Sequence, residues 1–356
     1  MKILILISEI KYSGAAKISS WLANKLCGQA YDVSFLTFID GKDRQYLDSK
    51  ISRISICKGV TNKYFRTIKA IYEVHKILRR EKYDLLISFL PLEGLISVLG
   101  ALFTNTKVIV SERSDPYHEK SFIANISRFM FQFADGAVFQ SDGAKEYYPL
   151  KLQNRSAIIA NPIAKTTAQI VPYKEREDLI VSSSRLEIKQ KRQDVLLKAF
   201  EIVSHICPNT VLKLIGDGPD EDNLKKLATS LGISDKVKFV GRSDSVIRDI
   251  SNAKLYVFSS DFEGMPNSVL EALSIGLPVV TTDYSPGGAK ELIQNKHRGY
   301  VVPTGDYEYL AEKIIYLLEN NTEGKIMAEN ALTISEELSE DAIIDSWKSY
   351  IQKIVG

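Results

Sequence analysis

The stretch Leu255–Gly276, LYVFSSDFEGMPNSVLEALSIG, predicts a strand, a loop and a helix in direct succession. Residues 255–258 are apolar, with Val and aromatic side chains, as in a buried strand. A polar turn with Gly264 and Pro266 follows, and Asn267 or Ser268 is predicted to cap a helix that Gly276 ends. Because ligands bind at the carboxyl ends of strands in open α/β sheets, this stretch predicts both an α/β fold and a binding site.

Two carboxylates flank this predicted site: Glu263 lies in the loop and Glu271 in the first turn of the helix. A helix N-terminus and its free backbone N–H groups favour an anion. Carboxylates, in contrast, are well suited to accepting hydrogen bonds from sugar hydroxyls. The stretch therefore predicts a ligand with phosphate and sugar parts. The alternative is that Ser268 and Glu271 form a capping box, which needs no ligand.

The rest of the chain alternates strand-like and helix-like segments. The strands are near-continuous apolar runs, which indicates parallel sheets covered on both faces. Helices are predicted from Ser13 and Gly14 to about residue 29, over 63–81 and over 341–355. Predicted strands cover residues 2–8, 32–38, 51–56, 84–90, 107–111 and 136–141, then 179–183, 210–215, 237–240, 255–258, 278–282 and 299–302.

Length and composition predict a two-domain soluble protein. A chain of 356 residues exceeds the usual size of a single core. The polar segment from Asn161 to Pro172 is interpreted as the linker, which gives domains of residues 1–163 and 164–340. No apolar run reaches the ~18 residues of a membrane span, and residues 3–7 are too short for a signal peptide. Three isolated cysteines fit the cytoplasm, and four scattered histidines provide no transition-metal site.

The two halves differ in charge. Residues 1–165 contain 24 Lys and Arg against 15 Asp and Glu, whereas residues 166–356 contain 22 against 29. A basic first half predicts an anionic partner there. The helix at residues 63–82 is rich in cations, and residues 122–133 are rich in Phe and Ile. Basic and apolar side chains together are typical of segments that bind a membrane surface. For residues 122–133, however, we favour the interpretation as a core helix.

Several other side chains follow predicted strands and are candidates for ligand contacts. Arg185, with the basic run that includes Lys191, is predicted to converge on a diphosphate; a solvated basic turn is the alternative. Gly14 follows the first strand and is a candidate for a phosphate loop, or for a simple tight turn. After the strand at 107–111, Glu112, Arg113 and Asp115 are candidates for acceptor or cleft contacts. Residues 220–222 read Asp-Glu-Asp, which we interpret as an acidic helix start rather than a metal site.

With these motifs the chain resembles the retaining glycosyltransferases of family 4 over nearly its whole length. The most specific match is the E-x7-E element, which runs from Glu263 through Gly264, Met265 and Pro266 to Glu271 with seven residues between the two glutamates. Support comes from Arg185 with Lys191, the turn at 216–219 and Asn161-Pro162. The resemblance implies a GT-B fold: two Rossmann-like domains face a central cleft, and the helix at 341–356 crosses back to the first domain.

The resemblance also implies roles for individual residues. Arg185 and Lys191 hold the diphosphate of a nucleotide-sugar, and Gly14 approaches it. Glu263 and the backbone of Gly264, Met265 and Pro266, beside Asn267, hold the donor sugar, and Glu271 holds the ribose. Glu263, Arg185 and Lys191 are thus the catalytic candidates. No metal cofactor and no nucleic acid are expected.

The sequence departs from the family at three places. After the first strand, where the family has two glycines, this chain has Gly14 and Ala15. The spacing from Arg185 to Lys191 is one residue longer than usual, so Lys189 is an alternative candidate for the diphosphate contact. Arg113 stands where many relatives carry His.

The implied function is retaining transfer of a hexose or N-acetylhexosamine from a UDP-sugar to a polyprenyl-diphosphate-linked saccharide. We expect it in the synthesis of bacterial surface polysaccharides, with the protein in the cytoplasm and bound peripherally to the anionic inner face of the membrane. The alternatives are a GDP-mannose-type donor, a nucleotide-sugar 2-epimerase, and a binding subunit of the same fold without turnover.

Overall fold

The computed structural model describes residues 1–10, 14–29, 31–39, 47–166 and 170–356. Ser13 and part of the predicted linker, residues 167–169, lie outside this set. The described residues form two compact units, Met1–Pro162 with Asp341–Gly356 and Ile163–Glu340. The boundary lies one residue from the one that the sequence predicts.

The first unit contains a seven-stranded parallel sheet in the order β3-β2-β1-β4-β5-β6-β7. Its strands are β1 (Lys2–Ile7), β2 (Asp32–Thr37), β3 (Ser52–Ser55), β4 (Leu85–Phe89), β5 (Lys107–Ser111), β6 (Gly136–Phe139) and β7 (Ser156–Ile158). Its helices are α1 (Gly14–Cys27), α2 (Lys63–Glu81), α3 (Pro91–Gly100), α4 (Phe122–Met130), α5 (Asp142–Glu146) and α6 (Leu150–Gln153). The short β7 is the one strand of this sheet that the sequence did not predict.

The second unit contains a six-stranded parallel sheet in the order β10-β9-β8-β11-β12-β13. Its strands are β8 (Glu177–Ser183), β9 (Val211–Ile215), β10 (Val237–Gly241), β11 (Ala253–Phe258), β12 (Val279–Thr282) and β13 (Gly299–Val302). Its helices are α7 (Ile188–Lys191), α8 (Gln193–Ile206), α9 (Glu221–Ser230), α10 (Val246–Ile250), α11 (Asn267–Ser274), α12 (Tyr307–Glu319), α13 (Asn321–Leu332) and α14 (Ile334–Glu337). The predicted strands of this half all lie within two residues of these bounds.

The last helix, α15 (Glu340–Val355), packs on the first unit, as the resemblance implied. Trp347 is fully buried, with its ring centroid 6.2 Å from that of Phe89. The Tyr350 hydroxyl accepts a hydrogen bond from the Ala137 backbone N–H (2.9 Å). A Cβ atom on Gly136 would overlap that hydroxyl, so glycine at this position is what lets the helix approach the sheet.

The interpretation of residues 122–133 as a core segment is confirmed for Phe131, which is fully buried, and is wrong for the other three phenylalanines, Phe122, Phe129 and Phe133. In α4 the buried residues are Ala124, Ser127 and Arg128, whereas Phe122 and Phe129 are exposed. The reason is a buried ion pair of Arg128, described below, which turns the basic face of the helix inward. None of the helices in the described ranges is long and apolar enough to cross a bilayer.

Candidate functional site

The second sheet has a topological switch point between β8 and β11. The next two strands in the chain, β9 and β10, lie on one side of β8, and β11 to β13 lie on the other side. Connections on the two sides therefore diverge, and the carboxyl ends of β8 and β11 border a crevice, which is where ligands bind in such sheets. Arg185 and Lys191 follow β8, and Glu263 follows β11. The fold thus brings together the residues that the sequence singled out in two separate segments.

Hydrogen bonds tie the loop after β8 to the loop after β11. The backbone N–H of Asp261 donates to the Gln190 carbonyl oxygen (2.9 Å), and Nε2 of Gln190 donates to the Phe262 carbonyl oxygen (2.9 Å). The Ser259 hydroxyl donates to the Lys191 carbonyl oxygen (2.8 Å). These bonds fix the two loops against each other, so that their side chains are held in one arrangement.

Lys191 and Glu263 form an ion pair at the centre of this arrangement. Nζ of Lys191 contacts Oε1 of Glu263, and the two side chains are 16% and 10% exposed. The Lys191 ammonium also lies 5.6 Å from the centroid of the Phe258 ring. Its rival Lys189 is exposed to solvent on the same short helix. The geometry therefore places Lys191 rather than Lys189 beside Glu263, with a cation and a carboxylate side by side.

The loop after β12 supports Glu263 from the other side. The Glu263 backbone N–H donates to the Ser285 carbonyl oxygen (2.8 Å), and the Ser285 N–H donates to the Asp261 carbonyl oxygen (3.0 Å). Tyr284, in the same loop, is buried, and its ring packs edge-to-face on Phe258 with the ring centroids 6.0 Å apart. Burial, and then the nearby carboxylate of Glu263, raises the pKa of Tyr284. Its hydroxyl is therefore neutral and is a packing element rather than a base.

Arg185 differs from Lys191 in being mostly exposed. Its side chain is 66% exposed, and Nε lies 3.6 Å from Oε2 of Glu187. Its backbone is nevertheless fixed, because Nε2 of Gln193 donates to the Arg185 carbonyl oxygen (2.8 Å). An exposed guanidinium on a fixed backbone at a strand end is suited to closing on a phosphate.

Two glycines let a neighbouring turn pack against the Arg185 loop. A Cβ atom on Gly216, which has φ +133°, would overlap the Ser184 carbonyl oxygen. A Cβ atom on Gly218 would overlap the carbonyl oxygen of Leu186. The turn at 216–219 therefore supports the Arg185 loop by close backbone packing.

The acidic run at 220–222 begins α9, as the sequence predicted. Oδ2 of Asp220 accepts a hydrogen bond from the Ile188 backbone N–H (2.9 Å), and Glu221 and Asp222 lie in the first helical turn. Across the ranges that the structure describes, no three His, Cys, Asp or Glu side chains form a group that could hold a metal ion.

The predicted caps of α11 are wrong. The residue before the helix is Pro266, and no side chain caps it; Asn267 and Ser268 already lie in the first turn. Proline fixes φ in a range compatible with the helix entry, so the helix begins earlier than the Asn and Ser suggested. With Pro266 before the helix and no side-chain cap there, the predicted capping box of Ser268 with Glu271 does not form.

Glu271 itself is half-buried in α11, while Gly264 and Met265 are half-buried in the loop before it. The predicted contacts of these residues, and of Asn267, with a ribose or a donor sugar stay predictions.

A second ion pair next to the site was missed from the sequence. NH1 of Arg192 lies 2.8 Å from Oδ2 of Asp261, and its Nε lies 3.1 Å from Oδ1 of Asp194. These hydrogen bonds, with Asp194 first, raise the pKa of Arg192. The other oxygen of Asp261, Oδ1, is buried without a hydrogen-bond partner. Both residues lie in segments that the sequence singled out, but Arg192 has a left-handed backbone (φ +49°), which the sequence does not indicate.

In the first unit, Glu112 lies at the end of β5 and is directed into the protein. The carboxylate is buried and accepts hydrogen bonds from Arg128 Nε (2.9 Å), the Tyr148 hydroxyl (2.7 Å) and the Ser114 hydroxyl (2.6 Å). Arg128 also donates to the Glu119 carbonyl oxygen (2.6 Å). This network holds the β5–α4 loop in place. Glu112 thus has a structural role, and its contact with an acceptor stays a prediction.

Arg113, which follows Glu112, points to the last helix. Its Nε donates to the Ser111 hydroxyl (2.8 Å) and NH1 donates to Oδ1 of Asn161 (3.0 Å). The guanidinium carbon lies 5.4 Å from the centroid of Phe89 and 5.8 Å from that of Trp347. Burial lowers the pKa of Arg113 to about 9. Arg113 therefore joins β5 to α15 through cation–π contacts.

Two further candidates lie in the first unit. Asp115 is buried and accepts hydrogen bonds from the Tyr117 backbone N–H (2.8 Å); its second oxygen lies 2.7 Å from Nδ1 of His118. Gly14 is exposed and is the first residue of α1. Their contacts with acceptor and donor stay predictions.

Residues 165–333 match the model of the family described as glycosyl transferases group 1. A curated relative from Campylobacter jejuni is 26% identical over 361 residues, covering 99% of each chain. It is named GalNAc-α-(1→4)-GalNAc-α-(1→3)-diNAcBac-PP-undecaprenol α-1,4-N-acetyl-D-galactosaminyltransferase.

Two solved structures share the fold. The lipopolysaccharide outer core galactosyltransferase WaaB superposes with a TM-score of 0.82, at 18% identity and 99% coverage of both chains. Anabaena HepE, solved in complex with UDP-glucose, superposes with a TM-score of 0.81, at 19% identity, covering 99% of this chain and 100% of the other. Both similarities extend through the two units, and the predicted GT-B fold is confirmed.

Proposed function

Since the second unit of this chain belongs to the family of glycosyl transferases group 1 and the chain is a glycosyltransferase, we propose the following reaction. The protein transfers a hexose or N-acetylhexosamine from a UDP-sugar, with retention, to a saccharide on a polyprenyl diphosphate. This serves bacterial surface polysaccharide synthesis. The observation that carries the proposal is the Lys191–Glu263 pair at the switch point of the second sheet, because it places a cation for phosphates beside an acid for sugar hydroxyls.

In the proposed donor complex the diphosphate replaces Glu263 as the principal partner of Lys191. Arg185, whose side chain is exposed, closes on the same diphosphate. The carboxylate released from Lys191 then accepts hydrogen bonds from the donor sugar. Gly264, Met265 and Asn267 line the sugar, Glu271 binds the ribose, and Gly14 approaches the phosphates. Pro266 fixes the loop entry to α11.

The reaction exchanges one bond for another at the anomeric carbon. The bond from that carbon to the UDP oxygen breaks, and a bond to the acceptor hydroxyl oxygen forms on the same face. The hydroxyl proton passes to the departing phosphate. Arg185 and Lys191 stabilise the charge that develops on this diphosphate. We propose that these cations suffice without a metal cofactor.

The acceptor is proposed from the name of the Campylobacter jejuni relative, which acts on a glycan attached to diphospho-undecaprenol. Such an acceptor resides in a membrane. The excess of cations in residues 1–165 suits an anionic lipid surface, so the protein is proposed to act peripherally at the inner face of the membrane.

A thermal-shift screen of UDP-, GDP- and ADP-sugars tests the donor, because a ligand that binds the folded state raises the melting temperature by mass action. UDP-sugars should raise it and GDP-sugars should not. Incubation of the same UDP-sugar with a polyprenyl-diphosphate-linked saccharide should yield an elongated α-linked product. Conversion of the donor to its 2-epimer without acceptor, or a shift only with GDP-sugars, would refute the proposal.

A further inference from the structure

Three helices form one layer of the first unit, with α3 packed between α2 and α4. The outer side of this layer carries large apolar side chains exposed to solvent. Among the described residues, nine large apolar side chains are 58% exposed or more, and eight of them belong to this layer or to the segments that directly follow α3 and α4. The eight are Tyr64, Phe65, Ile68, Tyr72, Phe103, Phe122, Phe129 and Phe133. We call these eight residues the aromatic face.

In α2 the exposed apolar residues follow a helical repeat. Tyr64, Ile68 and Tyr72 are spaced by four, so they lie on one side of the helix. The buried residues Ala70, Val74, Ile77 and Leu78 lie on the opposite side. The helix therefore has two apolar sides, one packed on the protein and one facing solvent. Folding of this unit requires only the first.

The same arrangement recurs in α4. Phe122 and Phe129 lie on one side, and Ala124, Ser127 and Arg128 are buried on the other. The buried ion pair of Arg128 with Glu112 fixes this orientation, because turning the aromatic side inward would expose or break it. Phe129 continues into Phe133, with ring centroids 5.9 Å apart in an edge-to-face contact.

Phe103 joins the two helices across the loop after α3. It is 95% exposed and has a left-handed backbone (φ +60°), which is unusual for a bulky residue. It lines one surface cavity together with Phe133 and a second one together with Arg79 and Lys82 at the end of α2. The aromatic face is thus continuous with the basic end of α2.

Exposed cations border the aromatic face at the C-terminal end of α2. Lys76, Arg79 and Lys82 are exposed on the C-terminal half of α2 and at its cap. A second copy of this chain, docked face to face, would bring these like charges together. An anionic lipid surface instead complements both features, since aromatic rings suit the headgroup region and each Lys or Arg there adds attraction.

We propose that the aromatic face docks on an anionic lipid bilayer, with its rings at headgroup level and Lys76, Arg79 and Lys82 on the lipid phosphates. The purpose of this docking, to reach a lipid-linked acceptor, rests on the proposed function; the docking itself does not. Folded monomers rarely expose a contiguous apolar patch beyond several hundred Å² without a partner for it.

Vesicle co-sedimentation of the full chain tests the proposal. The probes are vesicles of phosphatidylcholine with 30 mol% phosphatidylglycerol and vesicles of phosphatidylcholine alone. The wild type should partition onto the anionic vesicles at least about tenfold more strongly, and less so as salt rises. The double variant Phe103→Asp with Phe129→Asp should lose at least about tenfold. Replacing Lys76, Arg79 and Lys82 with Gln should lose about fivefold per charge at low salt.

Matched controls come from the second unit. Ile206→Asp changes an apolar side chain that is also exposed, and Lys226→Gln removes an exposed cation outside the aromatic face. Both should bind vesicles as the wild type does. Since all replaced side chains are exposed, every variant should keep the wild-type melting temperature.

Equal binding to both kinds of vesicle, or wild-type binding by the Phe103→Asp, Phe129→Asp variant, would overturn the proposal. So would sedimentation of the wild type as a dimer that this variant abolishes, because the face would then serve a second copy. Binding of UDP, followed by thermal shift, separates the two proposals. A wild-type protein that binds UDP but not anionic vesicles would refute the docking on lipid alone. A wild-type protein that binds the vesicles but not UDP would refute the proposed function alone.

Discussion

Replacing Lys191 with Met removes the cation that contacts Glu263 while keeping the length of the side chain. The two charged groups are 16% and 10% exposed, so solvent screens them only in part. A hydrogen bond to a charged group contributes about 1.5–3 kcal/mol. For the diphosphate of a bound UDP, loss of one such contact, at about 2 kcal/mol, corresponds to about thirtyfold weaker binding.

Another ion pair on the same two strands provides the control. Lys254, at the start of β11, lies 2.9 Å from Oδ1 of Asp178 at the start of β8, and the two side chains are 11% and 52% exposed. This pair bridges the amino ends of strands whose carboxyl ends hold the site. Lys254→Met should therefore cost at most about 1 kcal/mol of stability and leave UDP binding unchanged.

The assay is calorimetric titration with UDP, accompanied by thermal unfolding of each variant. Glu263→Gln should lower kcat/KM with the accepted donor by more than tenfold. The double variant Lys191→Met, Glu263→Gln should lose less stability than the sum of the two single variants, because the second substitution removes the charge that the first leaves unpaired. UDP affinity within a factor of two of wild type in Lys191→Met would refute the assigned phosphate contact. The same result for kcat/KM in Glu263→Gln would refute the assigned sugar contact.

Three further changes test other parts of the structure. Arg185→Ala should weaken UDP binding by about tenfold or more without lowering the melting temperature, since the side chain is mostly exposed; unchanged affinity in a titration would exclude the clamp. Arg128→Met leaves the buried Glu112 carboxylate unpaired and should destabilise the first unit by about 3–5 kcal/mol in urea unfolding, and a loss below about 1 kcal/mol would contradict this. Burial raises the pKa of Tyr350 to about 12, so the stability this residue adds is complete below its unfolded pKa near 10 and is lost as pH rises toward 12. Tyr350→Phe should flatten the decline of stability measured across that window, and an unchanged slope would be inconsistent with it.

The sequence predicted the sheets well because parallel strands buried on both faces are marked by uninterrupted apolar runs. It also located the carboxyl ends of β8 and β11, since polar residues follow each run, Ser184 and Arg185 after β8 and a polar turn with Gly264 after β11. It did not predict how α11 begins, because Asn267 and Ser268 are good caps in isolation, whereas the backbone of Pro266 decides where the helix starts. Local propensity is here overridden by the preceding loop.

The orientation of α4 shows a second limit. Its Phe and Ile residues predict a core helix by hydrophobicity alone, yet the side that is buried carries Arg128 and two small residues, Ala124 and Ser127. The orientation of the helix is decided by Glu112, sixteen positions earlier, whose buried carboxylate accepts a hydrogen bond from Arg128. The pairing of Arg192 with Asp261 was missed for the same reason. Such long-range charge pairs are formed by the fold and leave no periodic signal in the sequence.

The placement of α15 has a consequence for biosynthesis. The chain leaves the first unit after Pro162 and returns to it at Asp341, next to the point of departure, where the Ile163 N–H donates to the Leu338 carbonyl oxygen (2.7 Å). The strands of the first unit are translated first, but Trp347, which covers Phe89, leaves the ribosome after the whole second unit. The half of the enzyme made first is therefore completed last, and a nascent chain stopped at residue 340 would carry a finished second unit beside a first unit whose Phe89 is still uncovered.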